Sequence, residues 1–210
     1  MKVSNITKKY GEKTVLDNFS YDFEDGKITA IMGESGIGKT TLLNIIAGID
    51  NEQFDIENKT KSFVFQNDRL LPNLTVEDNL KLICKDIDVS SALAEFDLKD
   101  ADCLYPKELS AGMSRRVAII RAINYPAELI LMDEPFRNLD YYLKYKIMDI
   151  IKTKQKKDKN TIIMVTHDIA EAVYMADNIV VIGNGGKVLY KTSKVNKNTE
   201  KELLDKFLKK

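Results

Sequence analysis

An α/β fold on a mainly parallel sheet is predicted by three features of this chain. Short apolar runs alternate with helical spacing, a glycine-rich loop joins one such run to a helix, and an acid pair closes another. Alternation of this kind places ligand-binding loops at the carboxyl ends of the strands.

The chain opens with two runs of alternating apolar and polar residues, Val3 to Lys8 and Thr14 to Phe23. Tyr10-Gly11-Glu12-Lys13 lies between them. This predicts an antiparallel strand pair, with Asp25-Gly26 turning into the apolar strand Ile28 to Met32. Gly33-Glu34-Ser35-Gly36-Ile37-Gly38-Lys39-Thr40 follows directly and opens the helical pattern Thr41 to Ala47. The glycines let the backbone curl so that successive N–H groups and the helix N-terminus face anionic oxygens. Lys39 adds a charge and Thr40 a hydroxyl for Mg²⁺. The loop reads as a phosphate cradle, and a nucleoside triphosphate is the expected ligand.

Asn51 to Lys61 is polar and carries few structure signals, after which Ser62 to Phe65 reads as a buried strand ending at Gln66. From Leu70 to about Ser110 the spacing is helical, with Thr75 offering an N-cap ahead of Asn79 to Ile83. We expect residues 70–110 to be a helical subdomain inserted in a single domain spanning 1–210. A helix from Ala111 to Asn124 ends near Tyr125-Pro126, and the strand Glu128 to Met132 runs into Asp133-Glu134-Pro135. Strand, helix and strand follow at Thr161 to Thr166, Ile169 to Met175 and Ile179 to Ile182. Asn184-Gly185-Gly186 predicts a hairpin turn before Lys187 to Tyr190, and Thr199 to Leu208 an amphipathic helix. The charge-rich stretch Lys152 to Lys159 reads as a solvated helix end.

With 210 residues, the chain supports one substantial core, alone or with a small inserted subdomain. Its 32 basic residues balance 32 acidic ones, so no electrostatic footprint for nucleic acid is expected. Apolar runs such as Leu129 to Met132 fall far short of the roughly 20 residues that span a bilayer. Met1 to Lys9 has no apolar core of the secretory kind, which points to the cytosol, and Cys84 and Cys103 read as reduced structural thiols.

Two adjacent carboxylates, Asp133 and Glu134, at the end of a buried strand are costly unless a cation or proton shares the site. A nucleotide-bound Mg²⁺ meets that need. Asp133 would hold the metal, and Glu134 would polarise an attacking water. The bland alternative is an N-capping turn before Pro135. His167, the single histidine, sits at a strand terminus where it could donate to a γ-phosphate, although a lone histidine is usually only a satisfied polar residue. Ser110, ahead of a helical run, could cap it or leave the amides of Ala111, Gly112 and Met113 open to a phosphate, and residue chemistry alone favours the cap.

Taken together, these segments resemble the ATP-binding subunits of ABC transporters, over nearly the whole chain. Gly33 to Thr40 looks like the Walker A loop, continued by Thr41, and Ile130 to Asp133 looks like Walker B. By that resemblance Glu134 is the catalytic carboxylate, Gln66 the Q-loop glutamine that shares the metal with Thr40 and Asp133, and His167 the switch histidine. Tyr10 matches the aromatic that stacks on adenine, Leu109 to Met113 the signature motif, and Asn138-Leu139-Asp140 the D-loop. The fold implied is a P-loop NTPase core with an N-terminal antiparallel β subdomain and an inserted helical subdomain.

The resemblance also implies ATP and Mg²⁺ as cofactors and a head-to-tail pair of cassettes, here a homodimer. Each ATP would lie between Gly33 to Thr40 of one copy and Ser110, Ala111, Gly112 and Met113 of the other, with the D-loop Asp140 close by. A membrane permease is the implied partner, docked on residues 70–109, with a solute-binding protein as a further one. The location implied is the cytoplasmic face of the cell membrane. Leu70 to Leu80, Asp133 to Phe136 and Thr166 to Ala172 look like bacterial importer subunits for nitrate, sulfonates and taurine. Against that, Asn138 to Asp140 and Asn44 to Asp50 are also similar to ATPases of lipoprotein-release and macrolide-export systems. A soluble ABC protein acting on ribosomes or DNA is the third reading, and the charge balance disfavours it.

Three departures stand out. Ala111 and Met113 replace a glycine and a glutamine of the usual signature, Asn51 to Lys61 is short and poor in glycine, and Arg137-Asn138 fills D-loop positions that are commonly small. Nothing beyond Lys210 is at hand to serve as a C-terminal regulatory domain, so control of that kind is not expected.

Overall fold

A computed structural model describes residues 1–50, 58–196 and 198–208. The polar stretch Asn51 to Lys61 therefore lies outside the described residues from 51 to 57.

Strands β1 (Lys2–Tyr10) and β2 (Lys13–Asp22) pair antiparallel as a two-stranded sheet, as the alternation predicts, with Tyr10 opposite Lys13 at the turn. The main sheet contains β3 (Ile28–Met32), β4 (Lys61–Val64), β5 (Leu129–Asp133), β6 (Thr161–Val165), β7 (Asn178–Ile182) and β8 (Val188–Thr192). Their order is β4-β5-β6-β3-β7-β8. All neighbours run parallel except β7 and β8, which form the hairpin turned at Asn184–Gly186.

Every residue of β3, β5, β6 and β7 is buried, which is why these strands read as unbroken apolar runs: both faces of the sheet are covered. Their side chains alternate between two cores. Ala30, Met32, Ile130, Met132, Ile162 and Met164 face one, while Ile31, Leu129, Leu131, Ile163 and Val165 face the other. The first core is closed by helices α2 (Val76–Lys81), α3 (Val89–Glu95), α4 (Ala111–Asn124), α5 (Tyr141–Asp158) and α6 (Ile169–Met175). The second is closed by α1 (Lys39–Ala47) and the β1–β2 pair. Helix α7 (Thr199–Leu208) packs beside α6, with Leu203 buried.

Residues 70–110 are helical, but in short pieces. Six residues form α2, seven form α3, and Pro106–Glu108 adds a 3₁₀ turn. The Thr75 cap is made, its hydroxyl accepting from the Asp78 N–H at 3.2 Å. Lys152 to Asp158 is the last part of α5, with Lys159 as its C-cap, and Lys156 to Lys159 are exposed as a solvated helix end requires, while the side facing the sheet is held by polar contacts. Gln155 is buried, donating to the carbonyls of Gly26 at 2.8 Å and Asn160 at 3.0 Å, and Lys152 donates to the Tyr174 carbonyl at 2.6 Å.

The parallel arrangement brings four carboxyl ends to one edge. The loop after β3 carries Gly33 to Gly38, the loop after β4 carries Gln66, β5 ends in Asp133, and His167 follows β6. Because β6 lies between β5 and β3, His167 neighbours both the acid pair and the glycine-rich loop.

Candidate nucleotide site

The loop after β3 needs glycine at two places for different reasons. At Gly33 φ is +153°, and a Cβ would stand 2.5 Å from the Ile182 carbonyl oxygen. At Gly38 φ is +108°, and a Cβ would stand 2.5 Å from Cγ1 of Val15 on β2. A side chain at either position would push the loop off the strands it rests on. Helix α1 begins at Lys39 without a side-chain cap, so its first N–H groups remain directed at the loop's concavity.

Lys39 folds back across that loop, donating to the carbonyls of Gly33 at 2.9 Å and Glu34 at 2.7 Å. Burial lowers its pKa, opposed by the negative charge of Glu134 and Asp133. Glu34, Ser35 and Gly36 are exposed on the rim and Ile37 is buried in the second core. The next residue, Thr40, donates its hydroxyl to Oδ2 of Asp133 at 2.8 Å.

Asp133 is 2% exposed, and its Oδ1 is buried with no hydrogen-bond partner. Burial raises its pKa, the Thr40 hydrogen bond lowers it, and Glu134 raises it further. An orphaned carboxylate oxygen next to a threonine hydroxyl is an all-oxygen donor set that suits a hard cation such as Mg²⁺. The capping alternative for the acid pair does not describe this arrangement, since Asp133 is still within β5 and bonds to Thr40.

Glu134 adopts φ +46°, uncommon for a residue with a side chain, while its N–H donates to the Val165 carbonyl at 2.9 Å. Its Oε1 lies 3.2 Å from Nδ1 of the exposed His167. Glu134 lines two clefts. One, of about 410 Å³, brings it together with Tyr10, Lys39, Thr40, Gln66 and Asp133; the other contains His167 and Thr166. Thr41 also lines the first cleft, and Tyr10 is 55% exposed at its edge, with the Lys8 ammonium 5.4 Å from its ring centre.

The signature residues lie apart from both clefts. Ser110 caps α4, accepting from the Met113 N–H at 3.2 Å, so within one chain the ordinary cap is what is made. Ala111 is exposed, whereas a Cβ on Gly112 would stand 3.0 Å from the Asn138 carbonyl oxygen. Asn138 thus rests on the first turn of α4, and Asp140 in turn caps α5 through the Leu143 N–H at 3.0 Å. This explains which glycine can change: Ala111 faces open space, and Gly112 faces backbone.

Several supporting contacts carry no local sequence signal, although the Asp168 cap itself is of a type that a sequence can show. Asp168 caps α6 through the N–H groups of Ala170 at 2.8 Å and Glu171 at 3.2 Å, and Lys144 of α5 lies 3.1 Å from both Asp168 and Glu171. Thr166 donates to Glu171 at 2.6 Å, completing a network directly beneath His167. Arg115 of α4, 2% exposed, donates to the carbonyls of Phe65 and Gln66. Only the apolar alternation of β2, which places Val15 inward, could have announced one of the loop's neighbours.

The profile of the ABC transporter family matches residues 16–137. The chain is 35% identical to the aliphatic sulfonates import ATP-binding protein SsuB of a Bacillus cereus strain, over 97% of this chain and 86% of that protein. It is 39% identical to the protein of the same name from Bacillus subtilis (strain 168), over 81% of this chain and 73% of that one. Among solved structures, the dimeric structure of MJ0796, a bacterial ABC transporter cassette, superposes with a TM-score of 0.81 at 29% identity, covering 93% of this chain and 98% of that one. A dimeric post-hydrolysis state of MJ0796 bound to ADP and Pi gives 0.79 at the same identity. Strand order, the oxygen-rich cleft and these likenesses agree, and the chain belongs to the ABC transporter family as one of its ATP-binding cassettes.

Proposed function

We propose that the chain is the ATP-hydrolysing subunit of an importer for small organic anions of the aliphatic sulfonate class. Membership of the family makes it an ATPase coupled to transport, and the relatives named as sulfonate import proteins supply the direction and the solute class. Among the described residues no helix is long and apolar enough to cross a membrane. In the importer read from those relatives, the transport path belongs to a separate permease, and the cassette sits on its cytoplasmic face. Residues 70–110 form the helical subdomain of the single 1–210 domain and dock that permease, and a solute-binding protein delivers the anion.

The observation that carries the site reading is the run of contacts from Lys39 through Thr40 and Asp133 to Glu134 and His167. Gly33 to Thr41 bind the phosphates, with Lys39 exchanging its loop carbonyls for phosphate oxygens. Tyr10 stacks on the adenine. Thr40, Gln66 and Asp133 hold Mg²⁺, which when bound neutralises charge on the terminal phosphates. Glu134 accepts a proton from the attacking water, and His167, adjacent at 3.2 Å, hydrogen-bonds the γ-phosphate while keeping the Glu134 carboxylate aimed. Ser110 to Met113, remote from this chain's own cleft, face the γ-phosphate of a second copy, so ATP favours the closed pair and hydrolysis releases it.

The test is purification with the native membrane partner and reconstitution in vesicles. ATP-driven uptake of an alkanesulfonate supports the reading. Extrusion, or ATP hydrolysis indifferent to any sulfonate, overturns the importer assignment, and failure to bind magnesium nucleotide overturns the site.

A further inference from the structure

The helical segment 70–110 is joined to the main sheet by two stretches of chain. The outgoing one is the loop 65–69, which leaves β4 and carries Gln66; the incoming one is α4, which begins at Ala111 and leads back to β5. The two are lashed together by arginines of α4. Arg115 donates from Nη1 to the Phe65 carbonyl at 2.7 Å and from Nη2 to the Gln66 carbonyl, and its Nε lies 3.2 Å from Oδ1 of Asp68. Arg121 donates to the carbonyls of Arg69 at 3.0 Å and Asp68 at 3.1 Å. The loop is stiffened from within as well: Phe65 stacks on Phe63 at 4.1 Å, and the Arg69 guanidinium lies 3.8 Å above the Phe65 ring.

Arg115 stands out because its side chain is 2% exposed and spans Phe65 to Asp68 with a single guanidinium. Burying a guanidinium is costly unless its donors and charge are met; here backbone carbonyls of one loop meet two donors, and the buried Nε faces the Asp68 carboxylate as an ion pair without a hydrogen bond. The helix that carries it starts at the signature residues Ser110 to Met113. A shift of α4 therefore cannot leave Gln66 behind without breaking charge-assisted hydrogen bonds in a desolvated place.

We infer that Arg115 is a positioning residue that makes Gln66 move as one body with α4, so that displacement of the helical segment is imposed directly on the cleft shared by Thr40 and Asp133. This rests on the nucleotide reading for Gln66 but concerns a different residue and adds a mechanical link to it.

The experiment has two arms, one of them independent of nucleotide. Arg69 is exposed, so trypsin reports on opening of the loop at the Arg69–Leu70 bond. In Arg115→Gln this bond should be cut about ten times faster or more, with cleavage elsewhere unchanged, because proteolysis tracks the open population released by the lost hydrogen bonds. In the second arm, the same variant should lose about tenfold in kcat with KM for ATP within about twofold, matching Gln66→Ala, and the double variant should be no worse than either single one. If Arg115→Gln does not fold, Arg115→Lys keeps the charge but replaces the planar fork, which reaches Phe65, Gln66 and the Asp68 carboxylate together, with one compact ammonium, and should show both effects in weaker form. Unchanged cleavage at Arg69 overturns the clamp. Faster cleavage with wild-type kcat, or additive losses in the double variant, overturns the link to Gln66. A wild-type protein that binds no MgATP sinks the nucleotide reading while the cleavage arm still decides the clamp.

Discussion

The Nδ1 of His167 and the Oε1 of Glu134 lie 3.2 Å apart, although the two residues follow different strands and 33 positions of sequence separate them. The pairing depends on the left-handed backbone of Glu134, which turns its side chain from the end of β5 toward the end of β6. Removing the carboxylate's charge while keeping its shape should preserve this geometry. Glu134→Gln is expected to bind ATP with wild-type affinity, to lose about 10²- to 10⁴-fold in turnover, and to accumulate as an ATP-bound dimer. Phosphate release and size-exclusion chromatography with MgATP check both parts, and wild-type turnover would remove Glu134 from the mechanism.

Lys39 makes its hydrogen bonds to Gly33 and Glu34 from a buried position that lowers its pKa, against the opposing charges of Glu134 and Asp133. A phosphate presented at the loop competes for those donors in the ground state as well as during reaction. Lys39→Ala should therefore weaken ATP binding itself, by about 10- to 100-fold, the worth of hydrogen bonds to a charged group. A nucleotide titration with unchanged affinity contradicts this.

Asp133 has one oxygen bonded to Thr40 and another that is buried and unmatched, and its charge is disfavoured there. Replacing it by asparagine relieves a buried charge and removes a cation ligand at once. Asp133→Asn should leave the thermal midpoint of the nucleotide-free protein equal to or above that of wild type, while abolishing most of the stabilisation that MgATP provides. Differential scanning fluorimetry with ATP, with and without EDTA, measures the difference. A variant stabilised by MgATP as strongly as wild type would rule Asp133 out as the metal's holder.

The signature departs from the usual pattern at Ala111, which is exposed, and keeps Gly112, whose added Cβ would sit 3.0 Å from the Asn138 carbonyl. Gly112→Ala is expected to forfeit the roughly 1 kcal/mol that alanine gains over glycine in a helix, because the Asn138 carbonyl must give way to its Cβ, and chemical denaturation should show no stabilisation. Ala111→Gly, at an exposed position, should cost no more than the helix propensity of glycine, about 1 kcal/mol or less. Combining Ala111→Gly with Met113→Gln should instead raise ATPase turnover by restoring the partner-facing surface, and an unaltered rate would show both departures to be harmless.

How far the site was legible follows from how local each feature is. The strands β3, β5, β6 and β7 announce themselves as apolar runs because both faces are covered, and Gly33 to Thr40 does so because its chemistry needs contiguous residues. The caps of Thr75 and Ser110 follow from residue type alone. What escapes is the long-range polar contact that no shared ligand announces, unlike that of Thr40 with Asp133. Arg115 reaches back 49 residues to Gln66, and Lys144 reaches forward 27 to Glu171. No spacing rule joins such pairs, because their approach is set by packing of α4 and α5 on the sheet. Tertiary contacts likewise decide that α2 and α3 are short, a boundary that periodicity in residues 70–110 does not fix.

Asp168, whose cap is local but whose pairing with Lys144 is not, supplies a test of how the ground beneath His167 is held. Against burial, which would raise it, the Glu171 N–H and the Lys144 ammonium hold the Asp168 pKa below its ordinary value, and Lys144 is correspondingly raised, despite burial, by the two carboxylates. A carboxylate with a lowered folded-state pKa stabilises the fold above its unfolded pKa, near 3.9, and that contribution is lost as pH falls through the lower folded value. The carboxylate is partly exposed, so the charge contribution is modest. Asparagine caps a helix about as well as aspartate, so Asp168→Asn removes the charge and spares the cap. Chemical denaturation should show the variant less stable than wild type at pH 7, with the gap closing below about pH 4. A gap that persists undiminished into acid would mean that the Lys144 pairing contributes nothing and that α6 is held by its cap and packing alone.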